Sequence, residues 1–426
     1  MNPAPSPRLP LQGIRVVDFS HWWAGPMATR VLAGLGADVV KVESPGRPDP
    51  MRFPNDTDVL ERYPDRDPGP DPSNRNAFFN TQNVDKRSLV VDVKSDEGRD
   101  VIRRLISESD VFIANFRPGV LARLGLGYDD VRAWSPSVIY AEMPGYGNSG
   151  PMAGVQAYGA QFDAASGSAW VMGGSAGPLL TGYPIADPIG GVSTASAIMT
   201  AITHRDRTGE GCHIEAASRD AMLPLLGEYF LAESLGTPLR RSVNGASGWA
   251  PHGLFRGADD RWIAIGVDRD ETWSSLVEEL GVADSVAATE FGSAAVRSAR
   301  LVDVEEQVGA WIARRDDLPR LATSLQGRGV AAALMNRAGE VLHDDQLVHA
   351  GFFRRLSHPS AGTHAYPSLP ILIDGRRDSS RMPAPVLGEH SREILLDVCG
   401  LTAQEIDRLV GEGLVEEARS AETSTV

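Results

Sequence analysis

A chain of 426 residues, 42% hydrophobic and 23% charged, is long enough for two or three domains and has the composition of an ordinary globular protein. Its net charge of −15 argues against a nucleic-acid partner, which calls for a basic face. The only cysteines, Cys212 and Cys399, exclude a disulfide framework and a cysteine-built zinc site.

No apolar run reaches the roughly 18 residues needed to span a membrane, so no membrane partner is expected. Residues 1–10 are proline-rich without an apolar signal core, which points to the cytoplasm. From residue 14 the pattern alternates. Residues 14–19 form a short apolar run suited to a buried parallel strand. A turn at Gly25-Pro26 precedes a helix over 27–35, closed by Gly36 as C-cap. Residues 37–42 read as a second buried strand. Residues 44–76, rich in Pro, Asp and Arg and without periodicity, read as a long surface loop. Strands follow at 88–93, 110–115 and 138–143, with a helix at 98–107, and Pro144-Gly145 stops the last strand. Such alternation with short links implies a parallel sheet wrapped by helices, an α/β fold.

Residues 153–191 are rich in Gly, Ala and Ser, which suits close-packed helices, and 192–204 is an apolar helix. Near residue 253 the character changes. A strand at 262–267 and helices at 271–280 and 302–315 suggest a smaller α+β domain.

Three features carry chemistry. The first strand–helix turn, 20–26, reads S-H-W-W-A-G-P and lacks the G-x-G-x-x-G of a dinucleotide fold. A helix start after a parallel strand nevertheless offers free N–H groups to an anion, and the paired Trp22 and Trp23 are hard to fit into a core turn. Lys86-Arg87 form a basic pair in an acidic chain. Asn115-Phe116-Arg117-Pro118-Gly119 follows a strand, with Arg123 shortly after. Cations on loops at strand ends are placed to hold phosphates or are solvated surface charges; the residues alone leave both open. No nucleophile elbow, P-loop or H-E-x-x-H is present, and the nine histidines show no metal-ligand spacing, so no metal is expected.

Several segments together resemble one family. They are I-R-V-V-D-F-S (14–20), L-A-G-L-G-A-D-V-V-K-V-E (32–43), D-K-R-S-L-V-V-D-V-K (85–94), N-F-R-P-G (115–119), R-L-G-L-G-Y (123–128), G-Y-G-N-S-G-P (145–151), D-P-I-G-G (187–191) and P-A-P-V-L-G-E-H (383–390). Their order and spacing are similar to those of the family III CoA-transferases, the group named for carnitine CoA-transferase and formyl-CoA:oxalate CoA-transferase. The resemblance implies a Rossmann-like large domain from both chain ends, a small middle domain, and two subunits threaded as interlocked rings. Carried onto this chain, 1–205 is the N-terminal part of the large domain, 206–225 a linker, 226–330 the small domain, 331–415 the return to the large domain and 416–426 a disordered tail. It also implies coenzyme A as substrate, with Trp22, Trp23 and Ala24 lining its site and Lys86, Arg87, Asn115, Phe116 and Arg123 holding the nucleotide and phosphates.

The chain departs from the family at its reactive centre. The family carries its acyl group on an aspartate in G-Y-D, ahead of a helix ending in S-G. Counting back from Ser166-Gly167 gives Ala157-Tyr158-Gly159, so glycine stands at the carrier position. The family's glycine-rich loop reads G-W-A-P-H-G here (248–253), and Trp23 stands where the family can carry glutamine. Two residues are candidates for the missing chemistry. Asp163 lies one helical turn beyond Gly159, and His252 sits in the altered loop, able to act as acid or base near neutral pH. Three functions are consistent with this pattern: a CoA-transferase acting on acyl-CoA or small carboxylic acids; a repurposed enzyme of a specialised biosynthetic pathway; and a non-catalytic CoA-binding subunit. The partner is a second copy of the chain or a paralogue that bears the aspartate.

Overall fold

A computed structural model describes residues 9–52, 60–173, 177–237 and 248–418. Six parallel strands form the main sheet: β1 (Arg15–Asp18), β2 (Asp38–Glu43), β3 (Lys86–Val91), β4 (Val111–Ala114), β5 (Ile139–Glu142) and β6 (Cys212–Glu215). Val, Ile and Leu recur in β1 to β5, which are covered on both faces, whereas β6 is only partly buried. The strands lie in the order β3-β2-β1-β4-β5-β6, and the two-residue strand β12 (Val415–Glu416) pairs antiparallel with β3 at one edge. This is the order of a doubly wound sheet, and the chain reverses direction across it between β1 and β4.

Each face buries its own core. On one side Leu89, Val91, Phe112 and Tyr140 pack against Val101, Leu105, Ile394 and Leu409. On the other, Val16, Val39, Val111 and Ile139 pack against Ala28, Leu32, Ala195 and Ile198. The latter four come from the helices Ala24–Gly34 and Ala186–Thr208. These two helices approach closely at Gly191, where a Cβ would stand 2.6 Å from the Ala24 carbonyl oxygen and 2.8 Å from the Met27 Cβ. The small-residue composition of this stretch therefore serves helix packing, as expected.

The chain divides into two compact units. The first comprises residues 1–168, 180–236 and 345–426, and the second 169–179 and 237–344. The first also carries a hairpin of β10 (Phe353–His358) and β11 (Gly362–Pro367). In the second, β7 (His252–Arg256), β8 (Trp262–Gly266) and β9 (Ala331–Leu334) form an antiparallel sheet in the order β7-β8-β9. The helices Asp270–Glu279, Leu301–Ile312 and Leu318–Gly327 cover it around Trp273, Leu276, Val308 and Leu321.

Residues 206–225, expected as a linker, instead contain β6, which pairs with β5. Residues 331–344, expected in the large domain, supply β9 to the second unit, because β9 hydrogen-bonds to β8. Of the expected disordered tail, Glu416 pairs with Val90 in the main sheet, and residues 419–426 lie outside the described residues. Residues 44–76 are more than a surface loop, since Asp49 and Arg52 within them are fully buried.

Candidate active site

At the carboxyl ends of β1 and β4 two loops meet. Asn115, just past β4, accepts the His21 backbone N–H through Oδ1 (2.8 Å) and donates Nδ2 to the His21 carbonyl (2.6 Å), tying the first strand–helix turn in place. Gly25 must be glycine here, because a Cβ would lie 2.2 Å from the Ser20 Cβ. Trp22 sits at φ 64°, in the left-handed region, and donates its backbone N–H to Asp49 Oδ1 (3.1 Å). A side chain rarely takes this conformation without compensation. Here it turns the indole outward, leaving it 38% exposed.

The ring of Trp22 meets Tyr158 edge-on at 5.6 Å. Trp23 is buried between Phe78 (5.2 Å) and Tyr183 (4.6 Å). Phe116 packs on Phe19 and on the His21 ring. Trp22, Trp23, Phe78, Phe116, Tyr158 and Tyr183 wall a cleft of about 900 Å³, lined by residues of the first unit, which Arg62, Arg117 and Asp187 also line. Trp22, Trp23, Ala24, Asn115 and Phe116, all expected at the site, do line it.

Beneath the cleft lies a buried charge network. Lys86 pairs with Asp18 at 3.0 Å and Lys41 with Asp49 at 2.9 Å; none of these four side chains reaches solvent. The Lys86 ammonium also donates to the Thr29 hydroxyl (2.7 Å), the Asn83 amide oxygen (2.9 Å) and the Pro26 carbonyl (3.1 Å). Arg52 pairs with Glu43 at 2.9 Å and lies 3.6 Å over the Phe79 ring. Burial alone would raise the Asp18 carboxyl, but Lys86, Lys41 and the hydroxyls of Ser20 and Thr29 outweigh it and hold the group well below the usual carboxylate range.

The cations expected to hold the phosphates, Lys86, Arg87 and Arg123, lie outside the cleft lining. Lys86 is sealed in the core with its donors committed, and Arg87 forks onto Asp38 and reaches Glu393 at 3.0 Å. Arg123 is exposed on the short helix Val120–Arg123 and is not part of the cleft lining. The cations that do face the cleft are Arg62 and Arg117. Arg117 was legible in N-F-R-P-G, whereas Arg62 sits in the aperiodic loop and had no signal.

The two catalytic candidates belong to different units. Asp163 is buried, and its two oxygens accept the backbone N–H groups of Ile185 (3.2 Å) and Ala186 (2.9 Å), capping the start of the helix Ala186–Thr208. It holds structure together and is spoken for. His252 belongs to the second unit, where it opens β7, pairs with Gly266 and meets the Trp249 ring edge-on.

The space around position 159 is crowded. A Cβ on Gly159 would lie 2.6 Å from the Pro184 Cβ and 2.8 Å from Asp187 Oδ2. Asp187 stands in the first turn of the helix Ala186–Thr208. Burial, and then the nearby Asp163 charge, push its carboxyl up to about 6.

The class defined so far is a doubly wound α/β protein with an aromatic, arginine-bearing cleft at its switch point. A family profile, CoA-transferase family III, matches residues 11–391, and the chain belongs to that family. It is 30% identical to the formyl-CoA:oxalate CoA-transferase of Streptomyces coelicolor, covering 95% of this chain and 99% of that protein. Over 96% of its length it is 29% identical to a probable CoA-transferase of Mycobacterium tuberculosis, of which it spans only about half (51%). A crystal structure of a CaiB/BaiF family protein from Brucella suis superimposes with a TM-score of 0.80 at 28% identity, over 92% of this chain and all of the other.

Proposed function

We propose that this chain binds acyl-CoA thioesters in the cleft at the β1/β4 switch point and transfers CoA between carboxylic acids. The observation that carries this is the cleft itself. About 900 Å³ lies at the upper end of small-ligand pockets, which run to about 1,000 Å³. Its aromatic walls suit an adenine ring and a pantetheine arm. Arg62 and Arg117 are available to phosphates, as is the start of the helix Ala24–Gly34 beside them. Family membership and the relatives' names support the same chemistry.

Glycine at position 159 favours one further reading, in which the chain is a CoA-binding subunit that works with an aspartate-bearing paralogue. Two measurements on the purified chain separate the readings. Calorimetric titration with CoA should show saturable binding under either. Transfer from an acyl-CoA donor to a free acid by the lone chain is expected under the first and fails under the second. Absence of CoA binding would overturn both.

A further inference from the structure

We propose that Asp187 is the carboxylate that carries the transferred group in this chain, taking over from the side chain missing at position 159. The inference rests on the CoA-transfer reading above and adds to it a reactive residue.

Position 159 is not an empty slot. An added Cβ would lie 2.8 Å from Asp187 Oδ2, so the Asp187 carboxylate stands where a side chain from 159 would begin. Pro184 Cβ at 2.6 Å closes the other approach. Gly159 and Asp187 both line the cleft, together with Tyr158, Phe162 and Tyr183. A carboxylate thus already stands within reach of the space that a side chain at 159 would occupy.

Asp187 also differs from its neighbour Asp163 in what it is free to do. Asp163 spends both oxygens on backbone N–H groups. Asp187 has no hydrogen-bond or ion-pair partner among the described residues. A half-buried carboxylate without a donor, facing a cleft, is poised to react rather than to hold structure. Burial raises it to about 6, which leaves it ionised at neutral pH yet more basic, and so more nucleophilic, than a solvated aspartate.

The chemistry balances without any further reactant. One Asp187 oxygen attacks the thioester carbonyl carbon, the C–S bond breaks, and CoA leaves as its thiolate, giving a mixed anhydride. The thiolate then attacks the Asp187 carbonyl carbon and expels the donor acid as its carboxylate, leaving CoA as a thioester on Asp187. The acceptor carboxylate attacks that carbonyl, releasing CoA thiolate and forming a new anhydride. Attack of the thiolate on the acceptor's carbonyl frees Asp187 and gives the new acyl-CoA. No net proton or electron is exchanged.

The test is covalent trapping on the unmodified chain. Acetyl-CoA, succinyl-CoA and benzoyl-CoA are each incubated with the protein, quenched with hydroxylamine, and the peptides mapped by mass spectrometry, with CoA titrated by calorimetry in parallel. A hydroxamate on Asp187 is expected. In Asp187→Asn the hydroxamate should vanish and transfer should fall by roughly a thousandfold or more, while CoA affinity stays within about threefold, well under 1 kcal/mol. A hydroxamate on another residue would overturn the proposal. So would CoA binding with no labelling by any of the three donors, or an Asp187→Asn variant that transfers within about tenfold of wild type. Failure to bind CoA at all would instead strike the underlying reading.

Discussion

Replacing Asp187 with asparagine should make this protein more stable at neutral pH. The ionised carboxylate is half-buried beside the Asp163 charge, and its pKa stands at about 6 against an ordinary value of 3.8. The folded state therefore holds the proton more tightly than the unfolded chain. The stability this confers is present in full below about pH 4 and is lost as the pH rises through about 6. A shift of about two units corresponds to roughly 3 kcal/mol at about 1.4 kcal/mol per unit, and partial solvent access reduces it to about 1.5 kcal/mol. Asparagine keeps the neutral state at every pH. With an unfolding entropy of about 2 cal/mol/K per residue, that corresponds to a gain in Tm of about 2 °C for a chain of this length. Urea denaturation of both proteins between about pH 3 and about pH 8 measures it. The gain should be near zero at the acid end and complete above pH 7. A less stable variant, or a gain independent of pH, would refute the account of Asp187 as a desolvated, unpartnered carboxylate.

Other substitutions test the remaining geometry. Lys86→Met leaves the Asp18 charge buried and unpaired, and should cost about 3–5 kcal/mol in chemical denaturation; reduced CoA affinity at unchanged stability would instead return Lys86 to the ligand. Gly159→Ala drives a methyl to 2.6 Å from Pro184 and should destabilise by about 1–3 kcal/mol, whereas a neutral result would mean that the loop around Pro184 yields. Trp22→Gly suits the φ of 64°, so folding should survive while CoA binding weakens by about tenfold through loss of an aromatic wall. Calorimetry beside a thermal melt reads both, and unchanged CoA affinity would remove Trp22 from the site.

The alternation of apolar runs with helices told of the parallel sheet, and the strands expected at 14–19, 37–42, 88–93, 110–115 and 138–143 each overlap one of β1 to β5. Strands buried on both faces are continuous in sequence and so are readable there. The weakly apolar β6 and the two-residue β12 are edge strands, held by their neighbours rather than by their own composition, and were missed. The turn at 20–26 and the loop at 115–119 were recognisable as site elements because both follow strands. The fate of Lys86 and Arg87 was not, since a basic pair looks alike whether it faces solvent, a phosphate or a buried aspartate.

The order of residues alone determined the kind of fold, the family likeness and the absence of a carboxylate at position 159, because these depend on local pattern and spacing. Tertiary structure alone decided which charges are sealed in the core, that Asp163 caps a helix, and that Asp187 fills the space beside Gly159. Residues 28 positions apart meet only when the helix Ala186–Thr208 packs against the sheet, and no periodicity within either segment records that encounter.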